Sequence, residues 1–116
     1  MNKQQIINLL KASDSGSDEL NNAYYAWKYP DWSVACEDGF MFQETGRYLK
    51  IQDVSRSVDA ALGEIPKEHG YWLEHEEMMN GEWWYEACIR TEDDRLYGKH
   101  KLLTHAILLA VVEAAP

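Results

Sequence analysis

This sequence has little of several features that would identify a protein class. It contains three prolines and two cysteines, and its longest apolar run, residues 106–112, is far too short to span a bilayer. No basic start followed by an apolar stretch marks a secretory signal. These absences predict a cytoplasmic protein with no membrane partner.

Basic residues are also scarce, with 11 Lys and Arg against 20 Asp and Glu, which gives a formal net charge of −9. A field of this sign repels phosphate backbones, so direct binding to nucleic acid is not expected. An acidic surface would suit a basic protein partner, and the alternative is that it only keeps the chain soluble.

The length and the two cysteines limit what holds the fold together. A chain of 116 residues with 46% hydrophobic residues can bury one core, so we expect a single domain, 1–116, without a structural metal or cofactor. It divides into an amino-terminal part, 1–54, and a helix-hairpin-helix half, 55–116. Cys36 and Cys88 lie in apolar or aromatic runs and are predicted to be buried and reduced.

Helical periodicity appears in three places before the terminal helix. Residues 3–11 predict a short helix, and Ser17 is a predicted N-cap for a second helix that ends at Tyr29-Pro30. A third apolar stripe follows Ser55, another predicted cap together with Ser57. The acidic side chains of this third helix, Asp59 and Glu64, are expected to be solvated.

Alternating patterns predict the strands. Residues 32–36 and 40–42 flank a turn at 37–39, whereas the pattern from 43 to 53 is weak, and an irregular or short extended segment is expected there. Residues 71–76 and 83–90 predict a hairpin closed by a type I′ turn at Asn80-Gly81. In its second strand, one face is predicted to meet the helices: Trp83, Tyr85, Ala87 and Ile89.

The end of the chain is predicted as a polar loop, 91–101, followed by a buried helix from about 102 or 104 to 115. An exposed apolar strip on Leu102, Leu109 or Val112 would indicate a homodimer, because an all-round apolar helix must be covered.

The order of these elements resembles the phage ABA-sandwich domain, a family of small phage and prophage proteins. The resemblance rests on Ser57–Leu62 with Ile65-Pro66, on the strands beginning Gly70-Tyr71-Trp72-Leu73 and Gly81-Glu82-Trp83-Trp84, on Thr104–Ala115, and upstream on Ser17–Leu20. It implies an α+β fold in which helices cover both sides of a small, mostly antiparallel sheet, an alpha-beta-alpha sandwich. The family carries no activity that could be transferred to individual residues.

The hairpin is the first candidate site, because it combines aromatic and acidic side chains. Such a surface could anchor a protein partner or hold a cation, and the alternative is ordinary cross-strand packing beside a solvated acidic edge. The residues proposed for it are Trp72, Trp84, Glu74, Glu76 and Glu86.

A second candidate site is the basic stretch Lys99, His100 and Lys101, which precedes a helix as anion sites do. It lacks the other elements of a phosphate loop, so charge balance with the preceding acidic residues is the alternative. A metal site is not expected, since strand alternation sends His75 to the face opposite Glu74 and Glu76.

We find no spacing of titratable or nucleophilic groups that predicts catalysis. The leading hypothesis is a non-enzymatic phage or prophage accessory protein that binds a host or phage protein, for instance to inhibit a host process. The alternative is a protein that binds or sequesters a small molecule, either nucleotide-like or another anion.

Overall fold

A computed structural model describes residues 1–35 and 39–116. Cys36 and most of the predicted turn at 37–39 lie outside these residues. The elements are α1 (Lys3–Ala12), α2 (Asp18–Lys28), β1 (Ser33–Ala35), β2 (Phe40–Phe42), β3 (Tyr48–Lys50), α3 (Val58–Leu62), β4 (Gly70–Glu77), β5 (Trp83–Arg90), β6 (Arg95–His100) and α4 (Leu103–Ala114).

The strands form two antiparallel sheets of three strands each, β1-β2-β3 and β4-β5-β6. The first is small and contacts α2 through β1. The second is larger and carries the predicted hairpin. The α+β class predicted from the sequence is confirmed, and its β part is divided between two sheets.

Helix α4 is the centre of the molecule. Every residue from Thr104 to Val112 is buried, because β5 and β6 cover one side of the helix while α1 and α3 pack on it elsewhere. The exposed strip that would indicate a homodimer is not found at Leu109 and Val112, which are 2% and 0% exposed. The chain covers its own apolar helix, so this argument for a homodimer is lost. Among the described residues no helix is long and apolar enough to cross a membrane.

The predicted loop 91–101 is wrong, because Arg95–His100 forms strand β6 along β5. One of the positions at which β6 faces the core is Gly98, so the strand does not show an apolar residue at every second position. A Cβ built on Gly98 would lie 2.1 Å from the carbonyl oxygen of Ala106 and 2.6 Å from the amide nitrogen of Ala110. Glycine therefore allows α4 to approach the sheet closely.

The hairpin between β4 and β5 is confirmed, but its turn is not type I′. That type needs a positive φ at both central residues, and in the described residues only glycines have one, here Gly81 at +84°. The Gly81 amide donates to Met78 O at 2.9 Å, and the Met78 amide donates to Glu82 O at 2.7 Å. The loop thus has three residues, a turn followed by a glycine in the left-handed region.

The predicted caps are confirmed at two of three serines. The hydroxyl of Ser17 accepts from the Leu20 amide at 3.1 Å, and that of Ser57 accepts from the Ala60 amide at 3.2 Å. Ser55 is not a cap: it is buried, its hydroxyl donates to Ser17 O at 3.1 Å and accepts from the Ser17 amide at 3.0 Å. It joins the start of α2 to the segment before α3.

Candidate functional site

One face of the β4-β5-β6 sheet collects most of the predicted site residues. Gly98 contacts α4, and its register partner on β5 is Ala87, which pairs in turn with Leu73 on β4. Side chains alternate along each strand, so the neighbouring positions lie on the opposite face. We call that opposite face the outer sheet face; its residues are Gly70, Trp72, Glu74, Glu76, Trp84, Glu86, Cys88, Arg90, Arg95, Tyr97 and Lys99.

The outer sheet face is substantially accessible. Trp72, Trp84 and Glu86 are half-buried, Cys88 is fully buried, and the other members are exposed. The opposite face provides the core positions Ala87 and Ile89, as predicted, while Trp83 at its end is 50% exposed. The inner face of β5 thus supplies core residues, whereas Tyr71 and Leu73 on the inner face of β4 are 48% and 37% exposed.

Carboxylates dominate the middle of the outer sheet face. Glu74 lies directly opposite Glu86 in the register, and Glu86 lies opposite Lys99. The Lys99 ammonium bonds Glu76 Oε1 at 2.6 Å, and this hydrogen bond raises the pKa of Lys99. With Trp84, these side chains line a cavity of about 210 Å³. Around this cavity three carboxylates face one ammonium, whereas Arg90 and Arg95 lie towards the other end of the outer sheet face.

The two tryptophan rings of this face already have cations nearby. The guanidinium of Arg95 lies 5.6 Å from the centre of the Trp72 ring, and the ammonium of Lys101 lies 5.9 Å from that of Trp84. Because aromatic faces attract cations, these contacts occupy the positions that an external cation would take. This arrangement favours a macromolecular contact over an aromatic cage.

The predicted basic site lies at the end of the same sheet. Lys99 belongs to the outer sheet face, whereas His100 is buried and Lys101 follows the strand. These three residues share a cavity of about 480 Å³ with Lys11, Asp14 and Trp84. Lys101 bonds Glu82 at 3.1 Å. Both lysines of the predicted motif are therefore already paired with carboxylates.

His100 and His105 form a buried aromatic pair with ring centres 4.7 Å apart. The Nδ1 atom of His100 accepts a hydrogen bond from the Leu102 amide at 2.9 Å. Burial lowers the pKa of both rings, and for His105, where the nearby His100 adds to the effect, the pKa falls to about 4. Within residues 1–35 and 39–116, no three His, Cys, Asp or Glu side chains are placed to share a metal ion.

The sequence-based interpretation missed a polar cluster around Glu64. This residue was expected to be solvated, but its side chain is only 12% exposed. The Tyr24 hydroxyl donates to Glu64 Oε1 at 2.7 Å, and the Lys28 ammonium donates to the same oxygen at 2.8 Å. Tyr24 and Lys28 are four residues apart on α2, which is a visible signal, but nothing in the sequence places Glu64 beside them.

Comparisons with known proteins show a likeness in fold. No family model and no curated protein matches this chain. The fold is similar to that of a phage protein from Bacillus cereus ATCC 14579, known from a 2.0 Å crystal structure, with a TM-score of 0.59 and 13% identity over 89% of this chain and 96% of that one. A likeness at this identity concerns the fold. It agrees with the expected phage-type fold, whereas membership of the ABA-sandwich family stays a prediction.

Proposed function

We propose that this chain is a non-enzymatic phage or prophage accessory protein that binds a host or phage protein through the outer sheet face. The observation that carries the proposal is an accessible sheet face on which two half-buried tryptophans, Trp72 and Trp84, lie beside the cluster of carboxylates at 74, 76 and 86. Tryptophan is enriched among residues that dominate binding energy. The similarity in fold to a phage protein supports the phage origin.

The charge of the face determines what kind of partner fits. In the middle of the face Glu74, Glu76 and Glu86 exceed the ammonium of Lys99, while Arg90 and Arg95 lie at its other end, and the whole chain has a net charge of −9. Complementary potentials accelerate encounter and select partners. The partner is therefore expected to present a basic surface with an apolar pocket or ridge for the tryptophans, as a nucleic-acid-binding protein does at its basic groove.

The test is comparative capture from a bacterial host lysate followed by measurement on the purified partner. The outer-face variant is Glu74→Lys with Glu86→Lys, and the matched control is Glu92→Lys with Asp93→Lys, which makes the same charge change in the exposed loop between β5 and β6. We expect the outer-face variant to weaken the purified complex at least 10-fold, with a reduced dependence on salt, and the control to change it less than 3-fold.

Two outcomes would contradict the proposal. One is equal weakening by both charge variants, which would indicate attraction to the net charge rather than to this face. The other is unchanged affinity of the partner for Trp84→Ala in a variant whose circular dichroism spectrum is native. Native mass spectrometry of the captured complex supplies the stoichiometry and any retained small molecule.

A second candidate function is the binding of a small phosphate-bearing anion at the end of the sheet. The observation that favours it is the cavity of about 480 Å³ at which Lys11, Lys99 and Lys101 meet His100. An anion there would have to compete with Glu76 and Glu82 for two of the lysines. Calorimetric titration with ADP tests this candidate: saturable binding that Lys11→Ala weakens would support it, and no heat at 1 mM ADP, an order-of-magnitude ceiling for a specific ligand, would reject it.

A further inference from the structure

A separate cavity lies between α2, the segment after α3 and the last turn of α4, and none of its residues belongs to the outer sheet face. Its volume is about 580 Å³, within the range of about 300–1,000 Å³ that small-molecule sites occupy. Its walls are largely aromatic and apolar, with Tyr24, Trp27, Pro66, Val111 and Ala114 among the lining residues.

Glu64 places a carboxylate in this apolar wall. Both of its hydrogen bonds in the described part of the chain, from Tyr24 and from Lys28, end on Oε1. The second oxygen, Oε2, has no recorded partner among those residues. Oε2 is not one of the buried unpartnered atoms, so solvent reaches it, and the ammonium group of a ligand in the cavity can replace that water with a charge-assisted hydrogen bond.

The other charged groups of the cavity favour a cation. Glu68 adds a second carboxylate, while the ammonium of Lys28 is held by Glu64 Oε1 and lies 5.4 Å from the centre of the Tyr29 ring. Burial by itself would lower the pKa of Lys28, but the hydrogen bond and the charge of Glu64 raise it, so this lysine stays charged and paired. Among these groups, the charge that remains after the ion pair of Lys28 with Glu64 is therefore negative.

The remaining polar group of the wall is also incompletely bonded. The Nδ1 atom of His69 is buried and has no hydrogen-bond partner in the described residues. Because this atom has almost no accessible surface, a ligand in the open cavity would not contact it, and it does not contribute to the site. The aromatic ring of Trp27 in the same wall supplies a face that attracts ammonium groups.

We propose that this cavity binds a small organic amine, with the ammonium group on Glu64 Oε2 and the apolar body against Trp27 and Val111. The proposal is independent of the protein partner at the outer sheet face, and each can fail without the other.

The first test compares three probes of nearly equal shape by calorimetry and by the fluorescence of the tryptophans: 2-phenylethylamine, 2-phenylethanol and phenylacetate. We expect saturable one-site binding of the amine with a Kd on the order of 1 mM or tighter, as for a fragment. The alcohol should bind at least 10-fold more weakly, because it lacks the charge, and phenylacetate should not bind. Absence of saturable amine binding, or equal binding of the acid, would overturn the proposal.

Variants then locate the bound amine. Glu64→Gln keeps the shape of the side chain and removes its charge, whereas Asp59→Asn removes a charge from the exposed side of α3 as the matched control. We expect at least a 10-fold loss of amine affinity for Glu64→Gln and less than a 2-fold change for Asp59→Asn. Equal losses would mean that the amine binds through the net charge of the protein, against the proposal.

A steric variant decides the matter if Glu64→Gln fails to fold. Ala114→Phe fills the cavity from the partly exposed end of α4 and leaves every charge in place. We expect it to abolish binding of 2-phenylethylamine while Trp84→Ala, on the outer sheet face, leaves binding intact. Unchanged amine affinity in a folded Ala114→Phe protein would place the amine elsewhere and overturn the assignment.

Discussion

Replacement of Gly98 by alanine tests the close approach of β6 and α4, on which the whole core depends. The added Cβ would lie 2.1 Å from Ala106 O and 2.6 Å from Ala110 N, both backbone atoms of a helix. Ordinary contact begins near 3.4 Å, so the closer pair is short by about 1.3 Å. Because both are backbone atoms of α4, neither can rotate out of contact as a flexible side chain could. The helix or the strand must therefore move.

The magnitude follows from what that movement disturbs. Overpacking a core costs about 1–3 kcal/mol, and a clash with helix backbone belongs at the upper end, about 3 kcal/mol. Alanine has less conformational freedom than glycine in the unfolded chain, and this offsets about 0.4–1 kcal/mol of the destabilisation. We expect Gly98→Ala to lower the free energy of unfolding by about 2–3 kcal/mol, which at about 4 °C per kcal/mol for a chain of this size is a drop in Tm of about 10 °C.

Urea unfolding followed by tryptophan fluorescence measures this change, with Gly70→Ala as the matched control in the same sheet. At Gly70 the nearest atoms to an added Cβ are 3.9 Å away, and its φ is not in the left-handed region, so the control should stay within about 0.5 kcal/mol of the parent. A Gly98→Ala protein as stable as the parent, or a Gly70→Ala protein equally destabilised, would refute the reasoning.

Three further predictions concern single side chains. Because the pKa of His105 in the folded protein is about 4, the unfolded chain takes up a proton first as the pH falls below about 6.5. The stabilising contribution of the neutral ring should be fully present above pH 6.5 and decline by up to about 3 kcal/mol as the pH falls to 4. A pH series of urea midpoints should show a steeper decline in the parent than in His105→Leu, where only the lowered pKa of His100 remains. Ser55→Ala leaves the Ser17 amide without its acceptor, so calorimetry should show a loss of about 1–3 kcal/mol, and an unchanged Tm would contradict that role. Glu74→Thr removes one of two carboxylates facing each other across β4 and β5 and should raise the unfolding free energy by about 0.2–1 kcal/mol, whereas a loss would mean that Glu74 is stabilising.

The parts of the fold predicted correctly are those with a strong local signal. The apolar residues 103–114 predict a buried helix whatever surrounds them, and Asn80-Gly81 between aromatic runs predicts a hairpin. The type of turn was predicted wrongly, since Asn80 does not have a positive φ. Strand β6 was missed because its inward positions include Gly98 and His100, where apolar residues would have shown the alternation.

The candidate site was predictable to the extent that strand alternation fixes it. Trp72 with Glu74, and Trp84 with Glu86, could each be assigned to one face from strand alternation alone. Placing the two pairs on the same face required the observed three-residue loop, because the predicted two-residue turn would put Glu74 opposite Ala87 instead of Glu86. The position of Lys99 on that face required β6 to be a strand. The cluster around Glu64 was out of reach, because its partners on α2 are contacted only after the chain has folded across about 40 residues.

The placement of charge on the outer sheet face is an argument for its use in binding. Opposed carboxylates such as Glu74 and Glu86 destabilise an antiparallel pair, and Lys99 faces only one of them in the register. A surface optimised for stability alone would carry opposite charges or β-branched residues at those positions. Stability and binding often compete at functional surfaces. A variant such as Glu74→Thr should therefore separate the two, because the change that relieves repulsion in the free protein also removes charge that a basic partner would neutralise.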